Sequence, residues 1–173
     1  MRLGVLGELE IDDAVDEWLV SALLAVPYFG GTKLRFVLDG IVAGDPRPED
    51  FERAAACFLR LHEADRKSAT PHLEQHRRAF SGSRFQRLVD VLAVRTRDVW
   101  DQLRVTQIGI SRRAKDQKVY VCVSAECDWD AEHGLQLVFC EGKVLTRVSS
   151  QDGHLTSADA HGLPEGACKI VDL

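Results

Sequence analysis

The hydrophobic period of this chain changes twice along its length. From Val119 to Ala125, apolar side chains fall at every second position, Val119, Val121, Val123 and Ala125, with Tyr120, Cys122 and Ser124 between them. That is the repeat of a two-faced strand. Earlier, Phe51, Ala54, Ala55, Phe58 and Leu61 follow the spacing of a helix with one apolar stripe. Strand-like alternation precedes this section and follows it. Strands, then helices, then strands is the order of an α+β domain, not of an alternating α/β sheet.

Local signals fill in the elements. Residues Arg2 to Glu10 read as a first strand or strand pair. Glu17 to Val26 is apolar and stops at Pro27. Gly30-Gly31 supplies a turn, and Lys33 to Leu38 alternates after it, so a hairpin centres on the glycines. Asp39-Gly40 signals a second turn, with a short Ile41-Val42 strand after it. Asp45, Pro46, Pro48, Glu49 and Asp50 suit a helix N-terminus, because early prolines lose no bond and acids face the positive dipole end. That helix should run to about Asp65. Thr70-Pro71 predicts the start of a second helix, ended near Ser81-Gly82-Ser83. A third carries Phe85, Leu88, Val89 and Leu92. Trp100 drops into the core from a connection. An antiparallel meander follows: Val105 to Ile110, a polar exposed turn from Arg112 to Gln117, Val119 to Ala125, Leu135 to Phe139, and Lys143 to Val148 after a Glu141-Gly142 turn. From Ser149 the chain reads as loop, with a terminal edge strand at Lys169-Ile170-Val171. The expected fold is therefore α+β: N-terminal hairpin strands, a central three-helix segment and a C-terminal antiparallel β-meander.

A chain of 173 residues, 45% apolar and 28% charged, is one globular domain over residues 1–173, with enough apolar surface for a core. No apolar run approaches the roughly 20 residues of a membrane helix, and no targeting segment opens the chain. The expected location is the cytoplasm. Five widely spaced cysteines, none in a C-x-x-C pair, agree with free structural thiols in a reducing compartment.

The net charge of −5 is unevenly spread. Arg47 to Lys118 holds 16 Lys and Arg against 10 Asp and Glu, and the remainder holds 6 against 17. The basic middle could bind an anion, or pair with the acidic parts. Its arginines lack interleaved aromatics, so no nucleic-acid partner is expected. Nothing in the sequence specifies an oligomeric state.

The densest polar constellation is Glu126-Cys127-Asp128-Trp129-Asp130-Ala131-Glu132-His133-Gly134-Leu135, with Asp152 and His154 following later. Carboxylates and imidazole can hold a metal or run acid–base chemistry. The spacing fits neither a calcium loop nor a zinc helix, because the bidentate Glu and the second His are missing. His72 and His76 are helical neighbours without the metalloprotease pattern between them. No G-x-S-x-G, Walker loop or G-x-G-x-x-G is present. No catalytic residue, metal or cofactor is assigned. Three readings of the turn stay open: a structural turn anchored by Trp129 and bent at Gly134, with His133 bonded to the backbone; a binding surface; or an acid–base site.

The stretch Glu126–Leu135, the strand Gln136–Phe139, the Gly142 turn and the segment Val148–Leu155 resemble an uncharacterised bacterial domain family with a W-[DE]-x-E-H-G-L signature. Pro27-Tyr28-Phe29-Gly30 and the helix near Pro46 are similar to its N-terminal half. Related small domains lie beside bacterial toxins and look like immunity proteins. The missing catalytic signatures and the uneven charge give as leading expectation a non-enzymatic interaction domain, such as an immunity protein that binds a toxin, meeting its partner through the acidic strand region. The expected binding residues are Asp128, Asp130, Glu132, His133, Asp152 and His154. The alternative is a metal-dependent or acid–base enzyme using Glu132 and His133 with Asp152 and His154.

Overall fold

The computed structural model describes residues 1–41, 44–80, 98–165 and 169–172. The expected third helix over residues 85–92 lies outside them, as do Val42 and Cys168.

Among the described residues, the two groups of strands join into one sheet of eight strands. Its strands are β1 (Arg2–Leu3), β2 (Gly7–Ile11), β3 (Trp18–Ser21), β6 (Phe36–Asp39), β7 (Leu103–Arg112), β8 (Val119–Cys127), β9 (Leu135–Cys140) and β10 (Val144–Ser149), in that spatial order. Every pairing is antiparallel except β6 with β7, which run parallel from Phe36↔Ile108 to Asp39↔Ser111. A parallel pair needs a crossover, and the helical middle of the chain is that crossover. The meander β7–β10 is antiparallel, as its period and turns require.

The hairpin at Gly30-Gly31 is present as β4 (Leu24–Val26) and β5 (Thr32–Leu34), a separate pair outside the large sheet. Lys33 to Leu38 does not form one strand. It breaks at Arg35, where the chain leaves β4 and turns to pair with β3.

Helix α1 (Glu49–Leu59) buries Phe51, Ala54, Ala55 and Phe58, the stripe read from the sequence. It ends before Asp65, because a capping box between His62 and Asp65 opens a new helical turn there. That turn runs into α2 (Arg66–Phe80), so Thr70-Pro71 lies inside a helix and does not start one. The Thr70 hydroxyl donates to the Arg66 carbonyl at 2.9 Å, and Pro71 removes one helical hydrogen bond without ending the helix.

One face of the sheet carries the core. Leu19, Leu38, Ile110, Val121 and Phe139 lie in one cross-strand row, buried under α1, α2 and the β4–β5 hairpin. Tyr28 and Phe58 pack edge-on against Phe139, with Trp100 at the other side of Tyr28. The opposite face changes character from one end to the other. Its row runs Glu10, Val20, Val37, Gly109, Cys122, Val138, Arg147. Glu10 is exposed, whereas Val138 and Arg147 are buried. The expected loop after Ser149 contains a short helix, α3 (Ser157–His161), started by a Thr156 cap on the Asp159 N–H. The expected terminal edge strand reduces to a parallel bridge between Val148 and Val171.

The turn from Arg112 to Gln117 is polar but not exposed throughout. Arg112 sits in a fork on Asp45 and reaches Asp50. Arg113, 4% exposed, bonds Asp159, Glu165 and Asp116. The basic middle is thus tied to acidic segments on both sides of it in sequence. The described cysteines are free, and burial pushes the Cys122 thiol up to about 12 and the Cys127 thiol up to about 11. Among the described residues, no helix is long and apolar enough to cross a membrane.

Candidate functional site

The turn between β8 and β9 is built around Asp130. This carboxylate is buried; its Oδ1 accepts from the His133 backbone N–H at 3.2 Å and lies 3.0 Å from His133 Nδ1, while its Oδ2 accepts from the Ser150 hydroxyl at 3.0 Å. Burial acts to raise its pKa, but the His133 and Ser150 bonds outweigh it and hold the carboxyl below the ordinary range. The expected backbone partner of His133 is therefore a side chain. Gly134 closes the turn with φ +69, and its N–H donates to the Asp130 carbonyl at 2.9 Å. A Cβ there would stand 2.8 Å from the Ala125 carbonyl oxygen.

Trp129 packs at the border of the core and donates from Nε1 to Nδ1 of His76, at 3.1 Å. Indole only donates, so Nδ1 is the bare nitrogen and the His76 proton sits on Nε2. That atom is buried and has no hydrogen-bond partner among the described residues. Burial lowers the His76 pKa to about 4, against the pull of the Asp130 charge. His76 is a neutral core imidazole stacked on Phe80 at 4.6 Å.

Asp152 belongs to a different knot. It accepts from both terminal nitrogens of Arg147 at 2.6 Å, from Gln136 at 2.9 Å and from the His154 N–H at 3.0 Å. Arg147, 2% exposed, also bonds Asp172 and the His154 carbonyl. Gln136 in turn bonds that same carbonyl and faces the Cys122 thiol. Gln151 reaches back to the Ala125 carbonyl at 2.9 Å. The segment after β10 is thereby pinned to Asp130 at Ser150, to the ends of β8 and β9 at Gln151, and to Gln136 and Arg147 at Asp152.

Two of the six expected binding residues, Asp130 and Asp152, are thus occupied by internal partners. They sit in separate networks. Asp128, Glu132, His133 and His154 are exposed. Among the described residues, Asp128 and Glu132 make no side-chain hydrogen bond or ion pair, and no three His, Cys, Asp or Glu side chains gather into a group that could hold a metal. His133, with a side chain 56% exposed, has its ring oriented by Asp130. Arg147 and Gln136 were not legible as site residues, since an inward-facing arginine in a strand carries no pattern of its own.

Asp128 lines an open groove of about 520 Å³ with Asp101, Leu103, Arg104, Glu126 and Ala131. A second hollow of about 430 Å³ shares Asp101, Leu103 and Arg104 and continues to Phe29, Thr32, Glu63, Arg66 and Trp100. Together they follow the first residues of β7. Arg104 pairs with Glu126. Arg66 donates to the Tyr28 carbonyl at 2.6 Å and lies over the Trp100 ring at 4.9 Å. Asp101 has no ion pair or side-chain hydrogen bond among the described residues. The rim is acidic beyond what its two arginines offset. No periodicity signals this groove, because it is assembled from two separated segments, residues 101–104 and 126–131.

A family model described as a domain of unknown function, DUF6985, matches residues 5–155. No curated protein and no solved structure matches the chain.

Proposed function

From a chain that belongs to the DUF6985 family, we propose a non-enzymatic protein-interaction domain that meets its partner through the acid-rimmed groove beside the β8–β9 turn. The carrying observation is the split among the carboxylates. Asp130 and Asp152 are held by internal partners, Asp152 at an exposed position, while Asp101 and Asp128 line an open groove with no ion pair or side-chain hydrogen bond among the described residues. Unpaired exposed carboxylates steer a basic partner and select against acidic ones. Glu132, His133 and His154 extend the exposed surface of the same turn and its neighbour.

The finer form of the reading is a bacterial immunity protein that neutralises a toxin in the cytoplasm, without cofactor, nucleic acid or membrane. Its support is the likeness of the Glu126–Leu135 and Val148–Leu155 stretches to domains found beside toxins. The test is co-purification with the product of an adjacent toxin gene, using the wild type and D101R/D128R. Loss of the complex in the double variant supports the proposal. A monomeric wild type with no partner, or a complex indifferent to the substitutions, overturns it.

One observation favours a second reading. A buried carboxylate that orients an exposed imidazole is the arrangement of a general base. Here the pair is Asp130 with His133, and the acidic neighbour Glu132 is not part of it. Hydrolytic activity on a panel of ester and phosphate substrates that disappears in His133→Gln, with folding intact, would establish this reading in place of the first.

A further inference from the structure

Gln102 sits where the two segments that line the groove meet. Its carbonyl accepts the Asp128 N–H at 3.2 Å, and the next residue, Leu103, pairs with Cys127. The Gln102 residue is 8% exposed, so its side-chain amide is largely cut off from water. Nε2 donates to the Asp98 carbonyl at 3.5 Å, a long bond, and Oε1 accepts none among the described residues. An amide oxygen held this way costs free energy until a donor meets it. The oxygen is not sealed in the core, and Gln102 borders the groove, so a donor can reach it from there. Asp101 precedes Gln102, and Asp128 lies across the backbone link. Both carboxylates are exposed and hold no ion pair or side-chain hydrogen bond among the described residues. Arg104, the cation that lines this groove, is engaged by Glu126. The neighbouring hollow differs, because there Glu63 already stands beside Arg66.

We propose that the groove takes an arginine side chain of a partner protein, with Gln102 Oε1 as an acceptor beneath it and the Asp101 and Asp128 carboxylates as its counter-charges. This rests on the interaction reading above and names the side chain through which the partner is held. The chemistry on offer selects guanidinium. The free atoms are acceptors, and guanidinium only donates, presenting its N–H groups in a planar fork. The acidic side chains do not converge, since among the described residues no three His, Cys, Asp or Glu gather as a metal ion requires. A compact ammonium also wants convergent acceptors, whereas the fork reaches acceptors carried on separate segments. Leu103 and Ala131 line the same groove and give an aliphatic stem an apolar bed. The shape points to a protein as the source. Small-ligand sites bury most of the ligand's surface, and this groove is open. A side chain delivered on a partner's backbone needs no such enclosure.

The probe is an acetylated, amidated glycine–serine peptide with one central arginine, titrated into the full chain and followed by NMR of the backbone amides and the Gln102 side-chain amide. The expected result is saturable binding that shifts the Gln102 side-chain amide together with the Leu103 and Asp128 backbone amides. The lysine counterpart keeps the charge and should bind at least about 3-fold more weakly. The citrulline counterpart keeps the shape without the charge and should bind at least about 10-fold more weakly. Gln102→Met keeps the length of the side chain and loses the acceptor. It should weaken the arginine peptide at least about 3-fold and the lysine peptide less. Asp128→Asn, at an exposed position, should weaken both peptides alike. Equal binding of the arginine and lysine peptides, or an arginine peptide indifferent to Gln102→Met, overturns the arginine site and leaves a general acidic contact. No binding, or citrulline binding as tightly as arginine, overturns it too, while co-purification with a toxin still judges the wider reading. Free L-arginine binding as tightly as the peptide overturns the protein source. The comparison of the three peptides on the wild type decides the proposal by itself where Gln102→Met does not fold.

Discussion

Two acidic regions lie side by side in this molecule and use their charge in opposite ways. In the knot behind β10, Asp152 and Asp172 converge on Arg147, which also holds the His154 carbonyl. In the groove at the start of β7, Asp101 and Asp128 are exposed and have no counter-charge among the described residues. Both regions are rich in Asp and Glu in the sequence, and composition alone does not separate them. The difference is topological. Arg147 projects from the buried end of the second sheet face, where Asp152, His154 and Asp172 enclose it. The groove lies beside the first residues of β7 and the last of β8. A buried charge must be paired, whereas an exposed one is free to meet a partner.

The largest expected effect breaks the knot. Arg147→Ala strips the partner from Asp152 and Asp172, and removing one side of a buried ion pair costs about 3–5 kcal/mol. Urea denaturation would show it, and a loss below about 1 kcal/mol would mean the network is dispensable.

Next comes acid sensitivity at the buried imidazole that accepts from Trp129. His76 is held neutral, with its pKa lowered from 6.5 to about 4. Above pH 6.5 it is neutral folded and unfolded, so it adds no pH dependence. As pH falls below 6.5 the unfolded chain takes up a proton that the folded chain refuses, and stability declines until about pH 4. The loss amounts to up to about 3 kcal/mol. The depressed Asp130 and Asp152 carboxyls act in the same direction, but from the ordinary carboxylate range downward. His76→Gln keeps an acceptor for Trp129 and should flatten the decline between pH 6.5 and the carboxylate range. An unchanged profile would remove His76 as its source.

Gly134→Ala is expected to cost about 1–3 kcal/mol, since it combines a strained φ with a close approach to the Ala125 carbonyl. A wild-type melting temperature would show that the turn relaxes. The smallest effect on folding belongs to the groove: Asp128→Ala should change stability by no more than about 0.5 kcal/mol. A large change would place Asp128 among the internal pairs and erase the contrast.

Much of this architecture is legible in the chain. The helical stripe from Phe51 to Phe58, the Gly30-Gly31 hairpin and the period-2 meander are local patterns, and each forms as its spacing requires. What escapes the sequence is non-local. The parallel seam between β6 and β7 depends on a crossover that local period cannot report. Arg112, Arg113 and Arg147 read as surface charges until partners up to 67 residues away enclose them. Thr70-Pro71 carries a start signal that the earlier His62–Asp65 box overrides. At the β8–β9 turn, the residue types point to chemistry, but only the fold shows which carboxylates are already occupied.

The most direct measurement is an amide NMR titration of D101R/D128R with a lysine-rich peptide beside the wild type, because one spectrum reports both fold and binding. The expected result is a wild-type-like spectrum outside the groove, with peptide affinity reduced at least about 10-fold and the shifts at Leu103, Arg104 and Glu126 gone. A folded double variant that binds the peptide as the wild type does would contradict the assignment of the groove as the contact.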